Sequence, residues 1–212
     1  MKLSDDLFSW CNFYAFRREI RKSYPTVYSL KIKKKIFDII SEEIKENDRI
    51  LDVGASGKIL RERISRQFPS AIYKSMDIDI SGQHDYYSLD TISESFDLII
   101  LSEVIEHLEF NNGLSMLRRL WDLLNDSGRI IVSTPNLHHP NRYWQDPDHK
   151  TPYHYDVIGG SLLSVGFKIN KMHRIYNDQF IKRFFRIYLA SWVHRYLDID
   201  FAESIVVIAK KK

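Results

Sequence analysis

The stretch that decides the fold runs Ile50-Leu51-Asp52-Val53-Gly54-Ala55-Ser56-Gly57. A short apolar run closed by glycine reads as a buried strand. Lys58-Ile59-Leu60 follows, and from there the apolar spacing predicts a helix over 59–68, stopped by Pro69. A strand that bends through glycine into a helix brings backbone close to anything lying at the strand's carboxyl end. The helix start adds free N–H groups and a positive dipole there. A bend of this kind also serves as a plain tight turn, so the next acid matters. Asp77 closes a second expected strand, 71–76, about 20 residues beyond the glycine turn, where a carboxylate can accept from both hydroxyls of a ribose.

Working outward, strand and helix patterns alternate. Tyr86 and Tyr87 mark a weak third strand, and 96–101 is a continuous apolar run broken only by Asp97. A helix over 114–124 ends in Asn125-Asp126-Ser127-Gly128, and a strand follows at 129–133. Beyond Pro135 a loop rich in Pro and His reaches about Tyr155. It is followed by a helix at 157–164, a strand from Phe167, a long helix near 179–196 and a last strand at 204–209. Such alternation implies parallel βαβ units with helices on both faces: an α/β, doubly wound, mostly parallel, Rossmann-like seven-stranded sheet. Upstream, Ile32, Ile36, Ile39, Ile40 and Ile44 recur at helical spacing, and Pro25 separates them from the aromatic group Phe8, Trp10, Phe13, Tyr14 and Phe16. The expected organisation is an N-terminal helical segment, 1–47, packing on a domain at 48–212 with a helical insertion near 178–198.

Composition bounds the function. The 212 residues suit one domain with a real core; 44% are hydrophobic and 28% charged, an ordinary globular balance. A net charge of +3 is too mild for a dedicated DNA binder. The basic runs 31–35 and 210–212 read as solvated faces. The single cysteine, Cys11, excludes an intrachain disulfide and paired-cysteine metal motifs. Asp5 and Asp6 interrupt any signal-peptide core, and no run approaches the length of a spanning helix, so a cytoplasmic location is expected.

LDVGASG at 51–57, MDID at 76–79, FDLIILSEVIEHL at 96–108 and SGRIIVSTPN at 127–136 stand in one order and spacing. In this the chain resembles class I S-adenosylmethionine-dependent methyltransferases over roughly 48–170, with EVIEHL the most telling piece. The resemblance implies that Asp52, Gly54, Ser56 and Gly57 lie along the methionine portion of S-adenosylmethionine. It implies further that Asp77 holds the ribose, that Asp90 sits near the adenine, and that Ser102 and Glu103 line the pocket by the sulfonium. The family loop usually reads GxGxG. Here Ser56 takes the second glycine's place, and the third falls on Lys58, or on Gly57 in a loop one residue shorter; Gly57 suits the helix start better. The absence of GxGxxG argues against a nicotinamide or flavin dinucleotide.

Glu103, Glu106 and His107 would share one face if 103–107 is helical, and His149 could complete a divalent-metal set. Small-RNA 3′-end methyltransferases arrange Glu, Glu, His and a later His in this way. The plainer reading, preferred here, has Glu106 and His107 orienting the loop without metal. The loop 135–153 carries His138, His139, His149, Tyr143, Trp144 and Tyr153. WQDPDHKTPYHYD resembles a pattern of glycan and polysaccharide-biosynthesis methyltransferases. Aromatic faces stack on sugars, and a histidine can take a hydroxyl proton, so His149 and then His107 are the candidate bases, against a lid in which His149 simply bonds to backbone. Between 180 and 197, apolar side chains form one broad stripe with Lys182, Arg183, Arg186 and Arg195 largely off it. It is read as core or a homodimer contact, with a peripheral membrane contact as the other option. The insertion also departs from the family, whose last two strands form a hairpin. The expected activity is O-methylation of a sugar or glycan-related small molecule. The alternatives are a metal-dependent RNA 3′-end ribose methyltransferase and a non-catalytic methyltransferase-like binding subunit.

Overall fold

The computed structural model describes residues 10–212; Phe8 and the acids at 5 and 6 lie outside them. Seven strands form one sheet among the described residues: β1 (Lys31–Lys33), β2 (Arg49–Val53), β3 (Ile72–Met76), β4 (Phe96–Ser102), β5 (Leu124–Pro135), β6 (Lys168–Ile175) and β7 (Ser204–Lys210). Their order is β1-β6-β7-β5-β4-β2-β3, and only β7 runs antiparallel to its neighbours. The helices are α1 (Trp10–Ser23), α2 (Ile36–Glu43), α3 (Ile59–Gln67), α4 (Phe110–Leu123), α5 (Tyr155–Val165), α6 (Phe180–Phe184) and α7 (Ser191–Tyr196).

The period of two along a strand explains why both faces need covering. Leu51, Val53, Ile99 and Leu101 face a core completed by Leu117 and Leu120 of α4 and Ile158 and Leu162 of α5. Their alternates Ile50, Leu98 and Ile100 face Phe37, Ile39 and Ile40 of α2 and Ile64 of α3. The doubly wound arrangement follows from strands apolar on both sides. α1 lies over α5, where Gly159 lets it approach: a Cβ there would stand 2.9 Å from Ile20. The pair is tied by Asp156, which accepts from Arg17 at 3.1 Å and Arg21 at 2.6 Å.

Three expectations need correction. The third strand does not form; Tyr86 makes an isolated bridge to Met76. The Ser75 N–H, which such a strand would use, donates instead to the Asp85 carboxylate at 2.9 Å. The seventh strand comes from the segment read as helical: Lys31-Ile32-Lys33 pairs parallel with His173-Arg174-Ile175, and its lysines suit a sheet edge. Helix α2 therefore begins only at Ile36. The long helix near 179–196 is broken as well. A π turn, Phe185–Leu189, closes with Ala190 N–H donating to the Phe185 carbonyl at 2.9 Å, and Ala190 leaves helical geometry before α7. Its apolar stripe is exposed rather than core. No helix among the described residues is long and apolar enough to cross a membrane.

Candidate functional site

Strands β2, β3, β4, β5 and β6 run the same way, so the segments that follow them gather at one edge of the sheet. At its centre Gly54 turns the chain with φ +77°, and a Cβ there would lie 2.2 Å from Val104 Cγ2. The Gly54 N–H donates to the Met76 carbonyl at 2.8 Å, and Ser56 N–H to the Gly54 carbonyl at 2.9 Å. Gly57 faces open space, and α3 starts at Ile59.

Asp52 is buried and accepts from the Tyr73 hydroxyl. Burial pushes its carboxyl up to about 6, against the Tyr73 hydrogen bond, and the neighbouring Asp77 charge adds to the rise. Asp77 follows β3 directly, half-buried, with Oδ1 accepting from the Asp79 N–H at 2.9 Å. Next to it Ile78 is exposed, an apolar side chain beside an acid at a strand end that sequence reasoning passed over. Asp90 is exposed in a 3₁₀ turn, Leu89–Thr91, capped by Ser88.

Ser102 and Ser133 are register partners on β4 and β5, with their hydroxyls 3.0 Å apart. Ser133 Oγ also donates to Glu103 Oε1 at 2.8 Å, and Arg142 stands 3.7 Å from Oε2. Ser133 and Arg142 were missed by the sequence reading. Glu103 has φ +54°, a strained value for a residue with a side chain. The helix expected through 103–107 is absent; Ile105–His107 is a 3₁₀ turn. Glu103 therefore shares no helical face with Glu106 and His107, and its carboxylate is held by Ser133 instead.

Glu106, His107 and His149 do converge, with one ligand atom from each within 4.8 Å of the others. The loop is stitched on by backbone: the N–H groups of Lys150 and Thr151 donate to the Glu106 carbonyl at 2.8 and 3.0 Å. Neither carboxylate oxygen of the fully buried Glu106 finds a hydrogen bond among the described residues. Burial, then the Glu103 charge, push it up to about 8. The His149 Nδ1–H donates to the Tyr143 carbonyl at 2.7 Å, so in the neutral ring Nε2 carries the lone pair. The His107 and His149 rings are 4.8 Å apart, and the Tyr143 ring stands 4.9 Å from His149. Beside them Trp144 is exposed. His138 and His154 form a separate pair, Nε2 to Nε2 at 2.9 Å, and His154 Nδ1 meets Asp156 at 2.5 Å.

Comparisons with known proteins agree with this architecture. A solved S-adenosylmethionine-dependent methyltransferase from Archaeoglobus fulgidus superposes with a TM-score of 0.62 at 16% identity, covering 94% of each chain. One from Mesorhizobium loti gives 0.59 at 15% identity, over 82% of this chain and 97% of that one. The [4+2]-cyclase SpnF gives 0.59 at 12% identity, over 83% and 79%, so the fold also carries other chemistry. No curated protein sequence matches the chain. A family model described as a methyltransferase domain matches residues 26–196, and the chain belongs to that family.

Proposed function

We propose that this methyltransferase moves a methyl group from S-adenosylmethionine to a hydroxyl of a sugar or sugar-containing molecule. The chemistry of this sheet edge suits the cofactor. Asp52, Asp77 and Glu103 bring three carboxyl groups to one sheet edge. A ligand bearing an ammonium, a sulfonium and two ribose hydroxyls would meet acceptors for each. In this reading Asp77 holds the ribose, exposed Ile78 covers the base, and Asp90 borders the adenine. Gly54, Ser56 and Gly57 give the amino-acid end close access to backbone, beside Asp52. Ser102 and Glu103 lie nearest the reacting centre.

When bound, the cofactor supplies an already activated methyl group, so the chain needs no strong nucleophile. Its own contribution is to position the acceptor and take a proton. His149 carries this reading: with its Nδ1–H fixed on the Tyr143 carbonyl, Nε2 is the atom left to accept a hydroxyl proton. His107 adjoins it as the second base, and Trp144 offers an exposed face for a sugar ring. The test pairs binding with transfer. His149→Ala should retain S-adenosylhomocysteine affinity by calorimetry and lose at least about a hundredfold in labelled methyl transfer to a panel of free and nucleotide-linked sugars. Asp77→Ala should lose the binding itself. Unchanged transfer by His149→Ala would sink the assignment.

A second reading is favoured by Glu106, whose buried oxygens lack partners beside two imidazoles. Glu106, His107 and His149 would then hold a divalent cation on an acceptor's paired hydroxyls, as at an RNA 3′ end, with Glu103 outside the ligand set. Loss of transfer on chelation, restored by manganese and seen with short RNA, would decide for it.

A further inference from the structure

We infer that the insertion between β6 and β7 is a docking face for an anionic lipid surface. Helix α6, the π turn and α7 present large apolar side chains to solvent: Phe180 is 73% exposed, Tyr188 69%, Trp192 72% and Tyr196 85%. Monomers rarely leave so many aromatic rings contiguous and uncovered. Over the same residues the charge has one sign. Lys182, Arg183, Arg186 and Arg195 are present, and no Asp or Glu occurs from Gln179 to Leu197. Asp178 engages Arg186 at 2.7 Å and Lys182 at 3.6 Å, while no carboxylate lies within ion-pair distance of Arg183 or Arg195 among the described residues.

The adjoining edge strand extends the pattern. A groove of about 370 Å³ runs between α6 and β1, lined by Phe180, Arg183, Phe184 and Tyr188 on one side and Ile32, Lys33 and Lys34 on the other. Lys33 is paired with Glu42, and exposed Lys34 and Lys35 have no acid partner among the described residues. Aromatic rings interleaved with unpaired cations match the boundary of a bilayer, where rings enter the acyl margin and cations meet phosphate headgroups.

Charge also selects this occupant over a second copy of the chain. A two-fold contact sets a patch against itself, and here that would bring Arg183 and Arg195, neither with a carboxylate in ion-pair reach among the described residues, against their own copies. The location is consistent with the task. β6 delivers the insertion to the same sheet edge as the candidate site. The histidine loop meets its far end where His138 Nδ1 stands 3.1 Å from the Asp198 carbonyl, and Tyr28, in the turn before β1, donates its hydroxyl to the His194 and Ile199 carbonyls at 3.1 and 3.0 Å.

Co-sedimentation of the full chain with phosphatidylcholine vesicles, with and without phosphatidylglycerol, tests this directly. Binding should appear with the anionic vesicles and fall as salt rises. Arg183→Glu with Arg195→Glu should weaken it by more than about tenfold. Tyr188→Ser with Trp192→Ser should weaken it similarly, and thermal melting should confirm that both variants remain folded. Three results would overturn the inference. One is no binding to either vesicle, and another is binding that both double variants leave intact. The third is a concentration-dependent dimer that Trp192→Ser abolishes, which would make the face an interface between copies.

Discussion

Strand β4 and the 179–197 insertion are both apolar runs, yet one is a deeply buried element and the other lies open to solvent. Phe96, Leu98, Ile99, Ile100 and Leu101 are fully buried, with β2 and β5 on either side and helices above and below. The lone acid of that run, Asp97, is satisfied by the Arg49 N–H at 2.9 Å and Asn125 at 2.8 Å. The insertion has cations spread along its whole length and a π turn and a break that divide its stripe. Apolar content therefore says little about burial. What decides is whether a segment's period and charge let neighbouring elements close over it.

The largest test removes volume where that closure is complete. Leu98→Ala should destabilise by about 3 kcal/mol, through lost transfer energy and the cavity left between β4 and α2. The urea midpoint should fall with an unchanged slope. A loss below about 1 kcal/mol would mean that the sheet centre collapses easily and that the contrast with the insertion is overstated.

The candidate site is an intermediate case, a buried acid with no full counter-ion. Burial raises Asp52 from 3.8 to about 6, so its favourable contribution is fully present below about pH 4 and is lost as pH rises through 6. Asp52→Asn should be more stable than the native chain by about 2 kcal/mol at pH 7.5, and equal to it near pH 4. Its affinity for S-adenosylhomocysteine should fall, as should that of the native chain below pH 6. Calorimetry and melting at both pH values check the two arms.

Asp156 shifts the other way. Burial would raise it, but His154 and Arg17 bring it down to about 2. Its contribution is present above 3.8 and lost as pH falls toward 2. Asp156→Asn should cost about 1 kcal/mol at pH 7, since Arg17 and Arg21 are partly solvated, and the deficit should close near pH 2. A deficit that persists at pH 2 would assign the loss to packing between α1 and α5.

The sheet was legible because its signals are local. Ile50 to Val53, Phe96 to Leu101 and the turn at Gly54 declare themselves within a few residues. β1 was not legible: three residues at an edge carry no period long enough to outweigh the helical spacing of the isoleucines after them. The absent third strand turned on one side chain, Asp85, taking a backbone N–H. At the site, Asp77 could be placed by counting from the glycine turn. The Glu103 grouping could not, because helical spacing was assumed where φ is positive. The convergence of His149 with Glu106 and His107, expected only in the alternative metal set that the family resemblance offered, depends on backbone bonds spanning more than forty residues, which no spacing rule reports.

The smallest expected effect bears hardest on the opening contrast. Trp192→Ser deletes a large side chain, and in a core that would cost 3 kcal/mol or more, on the order seen for buried aromatics. At 72% exposure the indole has little area removed from water to lose. The change in folding free energy should stay within about 0.5 kcal/mol, and the urea slope should not move. A cost above 1 kcal/mol would mean that the ring is covered in solution, by the chain itself or by a second copy. Apolar content would then have predicted burial correctly in both regions.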